Sequence, residues 1–231
     1  ALWFSDQEVV MFRSPHLALL VAAWSLSLLA MAAGPATAAV VTETVVYEHD
    51  GVTLEGYLAY DDAVTARVPG VLVVHQWMGL TDNERLRAEM LASLGYVAFA
   101  CDVYGQGVRP QDTEAASEQA GKYYGDRELF RARLRAGLAR LLAHPLVDPS
   151  RTAAIGYCFG GSAALELARD GADLTGVVSF HGSLDTPRPA QAGAVSARVL
   201  VCHGAVDPYV PMEDVAGFVE SVGEGVEGWE S

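Results

Sequence analysis

From Val40 the chain alternates apolar and polar residues through VVTETVVYEHDGVTLEGYLAY, interrupted once at Asp50-Gly51. A period of two around an Asp-Gly turn predicts an antiparallel hairpin at a sheet edge. The pattern then changes, because VPGVLVVHQW (68–77) is almost continuously apolar, as strands buried on both faces of a parallel sheet are. TDNERLRAEMLASLG follows with helical spacing: Thr81 or Asp82 caps it, Gly95 stops it, and Leu86, Met90, Leu91 and Leu94 share the stripe expected to face the core.

YVAFACDV reads as the next strand and Gly105 to about Gly125 as a polar connection. DRELFRARLRAGLARLLAHP reads as an amphipathic helix, with Leu129, Phe130, Leu134, Leu138, Leu141 and Leu142 inward and its arginines on a solvated face. RTAAIGYC, LTGVVSFHG and ARVLVCHG are expected as strands, GGSAALELARDG and PMEDVAGFVESVG as helices, and VEGWES as the start of one more strand. Strand and helix alternate after residue 68, which predicts one α/β domain over roughly 40–231. Its sheet is mostly parallel, with helices on both faces and the N-terminal hairpin at its edge.

Ahead of this domain the pattern is of another kind. From Met11 a short cationic start at Arg13 leads into an uncharged run from Leu17 to Ala33 and then small residues, the layout of a secretory signal peptide. Cleavage after Ala38 or Ala39 starts the mature chain near Val40, so an exported protein, periplasmic or secreted and with no stable membrane anchor after cleavage, is expected. The ten residues before Met11 read as upstream sequence. The 231 residues are 51% hydrophobic, enough for a sizeable core. Fifteen Lys and Arg stand against 29 Asp and Glu, a formal net charge of −14, which argues against a nucleic-acid partner. A monomer acting on a small molecule is expected.

The three cysteines include no CxxC or paired ligand spacing, so no metal is expected, and their odd number leaves at least one thiol expected to be free or bonded to another molecule. Cys101 and Cys202 lie in apolar strand runs and read as small buried hydrophobes. Cys158 differs: Gly156-Tyr157-Cys158-Phe159-Gly160-Gly161 stands where a strand meets a helix, the pattern of a nucleophile elbow with Cys in place of Ser. A sharp turn there lifts the middle side chain above the sheet edge and tolerates only small neighbours. The helix N-terminus favours a thiolate, which would make Cys158 the most reactive of the three thiols below neutral pH. The Phe159 N–H is aimed at a developing oxyanion, and a second donor is expected from the loop His75-Gln76-Trp77-Met78-Gly79, at the Trp77 N–H. In such a fold the acid follows the nucleophile at a later strand tip. Cys202-His203-Gly204-Ala205-Val206-Asp207-Pro208 supplies Asp207, which otherwise only opens a turn before Pro208.

GYCFGG, HQWMGLTD and HGAVDPYVP together resemble the dienelactone hydrolase family of the α/β-hydrolase fold, from about residue 44 to the last residue. The resemblance implies an ester or lactone hydrolase without cofactor, working through an acyl-enzyme with Cys158 as nucleophile and Asp207 as triad acid. It also marks departures. Gln76 stands where dienelactone-hydrolysing members carry a Glu that supports the resting nucleophile, and a neutral amide can hydrogen-bond a thiol without holding that charge. SEQAGKYY (117–124) lacks the Arg such members use on a substrate carboxylate, leaving Tyr124 and the nearby Arg127 as candidate substrate contacts. Both departures argue against dienelactone itself as the substrate. The family's triad His lies about 30 residues beyond the acid, and the sequence ends at Ser231 before it, so the chain reads as C-terminally truncated. His181 and His203 end strands near the site and read as structural. A catalytically inactive binding protein on the same fold is the competing expectation.

Overall fold

The structure is a computed structural model that describes residues 39–191, 193–204 and 206–222. The signal-peptide and upstream readings over residues 1–38, and the strand expected to begin at VEGWES, lie outside the described residues.

The expected hairpin is present: β1 (Val40–His49) pairs antiparallel with β2 (Val52–Asp61) across Asp50 and Gly51, both at positive φ. The remaining strands are β3 (Val68–Val74), β4 (Val97–Cys101), β5 (Val147–Tyr157), β6 (Gly176–Phe180) and β7 (Arg198–Cys202). They form one seven-stranded sheet in the order β1-β2-β4-β3-β5-β6-β7. β2 meets β4 antiparallel, and every later pair is parallel. The loops that leave β3 to β7 therefore gather along one edge, outside the carboxyl ends of the strands, where open α/β sheets bind ligands.

Five helices connect them: α1 (Asp82–Ser93), α2 (Thr113–Gly125), α3 (Arg127–Leu142), α4 (Phe159–Arg169) and α5 (Met212–Val222). The strand period of two sorts the core into two layers. Leu72, Val74, Val97, Phe99 and Cys101 pack on the face shared with α3 and α4, whereas Val71, Val73, Ala98 and Ala100 pack against α1. Cys101 fits the reading of a small hydrophobe, since a Cβ on Gly137 of α3 would lie 2.7 Å from its own Cβ.

Three expectations are corrected. The face of α1 that meets the sheet carries Glu84, Ala88 and Ala92, while Leu86, Met90 and Leu94 point outward, Leu94 with 75% of its surface exposed. Ala88 and Ala92 lie against the layer of Ala98 and Ala100, and of the expected stripe Leu91 alone packs there, partly buried. Glu84 remains polar inside because it closes the helix N-terminus, accepting the Thr81 N–H at 2.8 Å. The segment read as a polar connection holds α2, whose buried residues Ala116, Ala120 and Tyr123 lie at helical spacing among polar neighbours. And Arg127, Arg131 and Arg133 of α3 are buried, not solvated. Arg131 Nε donates to Glu166 at 2.8 Å and Arg169 Nη1 to the same carboxylate at 3.1 Å, while Arg131 Nη2 donates to Arg188 O at 2.7 Å. The cluster clamps α3, α4 and the loop after β6 together. Deleting one partner of such a buried pair costs about 3–5 kcal/mol, because the other is left uncompensated. Among the described residues no helix is long and apolar enough to cross a membrane.

Candidate active site

β5 passes into α4 through a single residue, Cys158, whose backbone adopts φ 53° and ψ −115°. A left-handed non-glycine residue costs on the order of 1–3 kcal/mol and persists only where its surroundings enforce it. Here they do: a Cβ on Gly156 would lie 1.9 Å from Gly160 O, and one on Gly160 2.2 Å from Val74 O, so only glycine lets strand, turn and helix close this tightly. The Cys158 N–H donates to Phe180 O of the neighbouring strand at 2.8 Å, and Cys158 O accepts from Gly161 N–H at 2.9 Å. The thiol is left half-buried at the carboxyl edge of the sheet.

Its protonation differs from the expectation of a thiolate. Burial pushes the Cys158 thiol up from its ordinary value and the Asp207 charge adds to this, against the Phe159 N–H, which lies close enough to the sulfur to favour its anion. Desolvation wins over the helix N-terminus. The resting group is therefore a neutral thiol that must give up its proton when it attacks.

The loop after β3 is fixed by its own polar groups. His75, fully buried, donates from Nδ1 to Gln76 O at 2.7 Å and accepts the Val103 N–H on Nε2 at 3.1 Å. Burial also holds the ring below its ordinary pKa, so it is neutral with both nitrogens in use. Gly79 N–H also reaches Gln76 O, at 3.1 Å. With that carbonyl tied, the Trp77 N–H of the same planar trans peptide points the opposite way. Tyr104, a residue the sequence reading missed, donates from its hydroxyl to Trp77 O at 3.1 Å and packs its ring 5.3 Å from that of Phe159. Its signal was position: it lies just past the tip of the buried strand β4, on the edge where ligands bind. The Gln76 carboxamide oxygen accepts from Met78 N–H at 2.8 Å, so it braces its own loop.

On the other side, Tyr124 of α2 shares a hydrogen bond with Ser162 at 3.2 Å, and its ring centre lies 5.5 Å from that of Phe159. Burial, foremost, and the nearby Cys158 keep its phenol protonated. The Arg127 guanidinium lies 4.9 Å from the centre of the Tyr124 ring. Its Nε and Nη1 are buried without a hydrogen-bond partner among the described residues. The two candidate substrate contacts are thus brought together.

Asp207 both opens its turn and faces the site. Oδ1 accepts from Tyr209 N–H at 2.9 Å, Oδ2 is bonded to Nδ1 of His181, and the side chain is only 4% exposed. The Tyr209 N–H, with help from His181, holds the carboxyl below its ordinary range, so it is ionised. Of the two strand-tip histidines read as structural, His203 keeps both ring nitrogens buried and unpartnered among the described residues, whereas His181 is drawn to the carboxylate. Among the described residues no group of three or more His, Cys, Asp or Glu is placed to hold a metal ion.

The family model for the dienelactone hydrolase family matches residues 54–226. The chain belongs to that family. Similar solved structures include m3DLH, 40% identical, with a TM-score of 0.76 over 82% of this chain and 80% of that one. Another is the dienelactone hydrolase-like promiscuous phosphotriesterase P91 from metagenomic libraries, 39% identical, with a TM-score of 0.74 over the same shares. A Synechocystis sp. protein named for carboxymethylenebutenolidase activity is 27% identical over 187 residues, covering 75% of each chain. This dienelactone hydrolase-family chain therefore has the α/β-hydrolase fold that its patterning and motifs predicted, and it is a hydrolase acting on a small molecule of the ester or lactone class.

Proposed function

We propose that this hydrolase cleaves its ester or lactone by covalent catalysis, with Cys158 as the nucleophile and Asp207 as the acid that orients its base. The observation that carries the reading is the left-handed Cys158 between β5 and α4, with the Phe159 N–H against its sulfur. As the sulfur attacks, the substrate carbonyl oxygen gains charge where the Phe159 and Trp77 N–H groups can receive it. An S-acyl enzyme forms, and water then releases the acid. Tyr124 and Arg127 line the acyl side. The Arg127 Nε–H and Nη1–H, buried without a hydrogen-bond partner among the described residues, suit an oxygen-rich or anionic substituent there, since such donors gain most from an acceptor. With Gln76 turned into its own loop, no carboxylate at that position holds the resting thiol.

The competing reading is a protein that binds such a ligand without turning it over, and the neutral resting thiol favours it. Cys158→Ala separates the two. Turnover of p-nitrophenyl acetate should fall by more than about 10³-fold in the variant. Equal, slow hydrolysis by both proteins, with ligand binding retained, would favour the binding protein.

A further inference from the structure

We propose that Arg109 is a positioning residue of this site, tying the loop after β3 to the loop after β4 and so aiming the Trp77 N–H at the substrate oxyanion. The proposal rests on the reading of Cys158 as nucleophile with the Trp77 N–H as an oxyanion donor. β3 and β4 pair in parallel with Val74 opposite Cys101, so the loops that begin at His75 and Asp102 rise side by side at the carboxyl edge of the sheet. An oxyanion donor is worth most when its position is fixed before charge develops, because no reorganisation is then needed during the reaction. What fixes these two loops therefore bears on the chemistry.

The loop after β4 is anchored by Asp102, which is fully buried. Its Oδ1 accepts the N–H groups of Tyr104 at 3.0 Å and Gly105 at 3.1 Å, and its Oδ2 accepts the Glu55 N–H of β2 at 3.1 Å. One carboxyl group thus sets both the start of its own loop and the distance of that loop from β2. Arg109 closes the far end. Its Nη1 lies 3.9 Å from the same Oδ1 and donates to Val108 O at 2.8 Å. Its Nε crosses to the other loop and donates to Leu80 O.

The crossing is tight enough to set the geometry of the donor loop. Gly79 has φ 87°, and a Cβ there would lie 2.9 Å from Val108 O and 3.1 Å from Arg109 Cδ, so the two loops meet with Gly79 held between them. The Gly79 N–H donates to Gln76 O at 3.1 Å, and that carbonyl shares its peptide with the Trp77 N–H. A shift of Gly79 is therefore passed to the donor through one hydrogen bond. Tyr104, whose N–H Asp102 holds, grips the next peptide at Trp77 O. Trp77 is thus fixed from two sides, and Asp102 and Arg109 stand behind both. Arg109 is 21% exposed and borders an open groove of about 460 Å³ with Gln76, Met78, Leu80 and Gln111. Truncating it leaves a space that a free guanidinium ion can enter from solvent.

The test uses the full chain and two reactions of the same thiol. Attack on p-nitrophenyl acetate builds an oxyanion, whereas alkylation by iodoacetamide displaces iodide at a saturated carbon and builds none, so the first alone needs the Trp77 N–H in place. In Arg109→Ala, its fold checked by circular dichroism, kcat should fall about tenfold with KM within about twofold, and Cys158 alkylation should stay within about twofold of the parent. Guanidinium chloride at about 20 mM, far below denaturing concentrations, should raise kcat of this variant at least about threefold over the same concentration of potassium chloride. Arg109→Lys keeps the stem and the charge and guards against an alanine variant that does not fold. Without the planar fork its kcat should fall about threefold, again with alkylation unchanged. Parent-level kcat in either variant, with turnover lost in Cys158→Ala, overturns the positioning role and leaves the cysteine reading standing. An equal fall in ester turnover and alkylation, or a fall in Arg109→Ala with no response to guanidinium, also overturns it and leaves Arg109 structural. A rise in KM alone overturns it as well, making Arg109 a substrate contact. Retained turnover in Cys158→Ala removes both readings together.

Discussion

Two histidines follow parallel strands on either side of the nucleophile strand, His75 after β3 and His181 after β6, and the sheet uses them in opposite ways. His75 is fully buried and neutral, with one nitrogen donating to Gln76 O and the other accepting from Val103 N–H. It shapes the loop that presents the Trp77 N–H. His181 is half exposed, held by a single carboxylate and set on a strained backbone. A histidine with both nitrogens satisfied inside the protein has no lone pair left for a substrate.

The contrast can be broken from either side. The largest stability effect belongs to His75: His75→Leu strands the buried Val103 N–H and leaves Gln76 O with only the Gly79 N–H, and should lower unfolding stability by about 2–4 kcal/mol in urea titration. His181→Asn should change it by less than about 1 kcal/mol, because the group it removes is half exposed. Equal destabilisation by the two substitutions would erase the distinction. A smaller effect is expected at Tyr104, whose hydroxyl steadies Trp77 O from 3.1 Å. Tyr104→Phe removes one hydrogen bond, about 1 kcal/mol, and should lower kcat about fivefold with KM nearly unchanged, since the oxyanion donor matters in the transition state. A rise in KM alone would place Tyr104 in substrate binding instead.

The smallest effect is in thiol chemistry. Burial raises both Cys158 and Cys101, and each is favoured in its neutral form. Alkylation of Cys158 by iodoacetamide should therefore be slow at neutral pH and still climbing above about 8.5, the ordinary thiol value. Cys101, fully buried, should label only on unfolding. A Cys158 rate that levels off below pH 7 would restore the thiolate expected from the helix N-terminus.

Much of this molecule was legible in its sequence because the informative residues act locally. Asp50-Gly51 makes the hairpin, the apolar run at 68–77 makes a buried strand, and the glycines around Cys158 are demanded by contacts within one turn. Failures came where the partner decides. Leu86, Met90 and Leu94 have core-like spacing, but the sheet beneath α1 offers Ala98 and Ala100 and buries Ala88 and Ala92, with Leu91 of the expected stripe packed partly buried at their side. The arginines of α3 look solvated until Glu166 and the Arg188 carbonyl meet them. The pairing of His181 with Asp207 joins residues 26 apart whose meeting depends on strand order. No spacing rule could separate it from His203, one residue beyond β7.

The central claim is that Cys158 carries the acyl group. Its most direct test is rapid acid quench of the protein turning over p-nitrophenyl acetate, followed by peptide mapping by mass spectrometry. The account predicts an acetyl thioester on the peptide containing Cys158, formed in the initial burst and absent from Cys158→Ala. Steady turnover with that peptide unmodified, or an acyl group found on another residue, would contradict it.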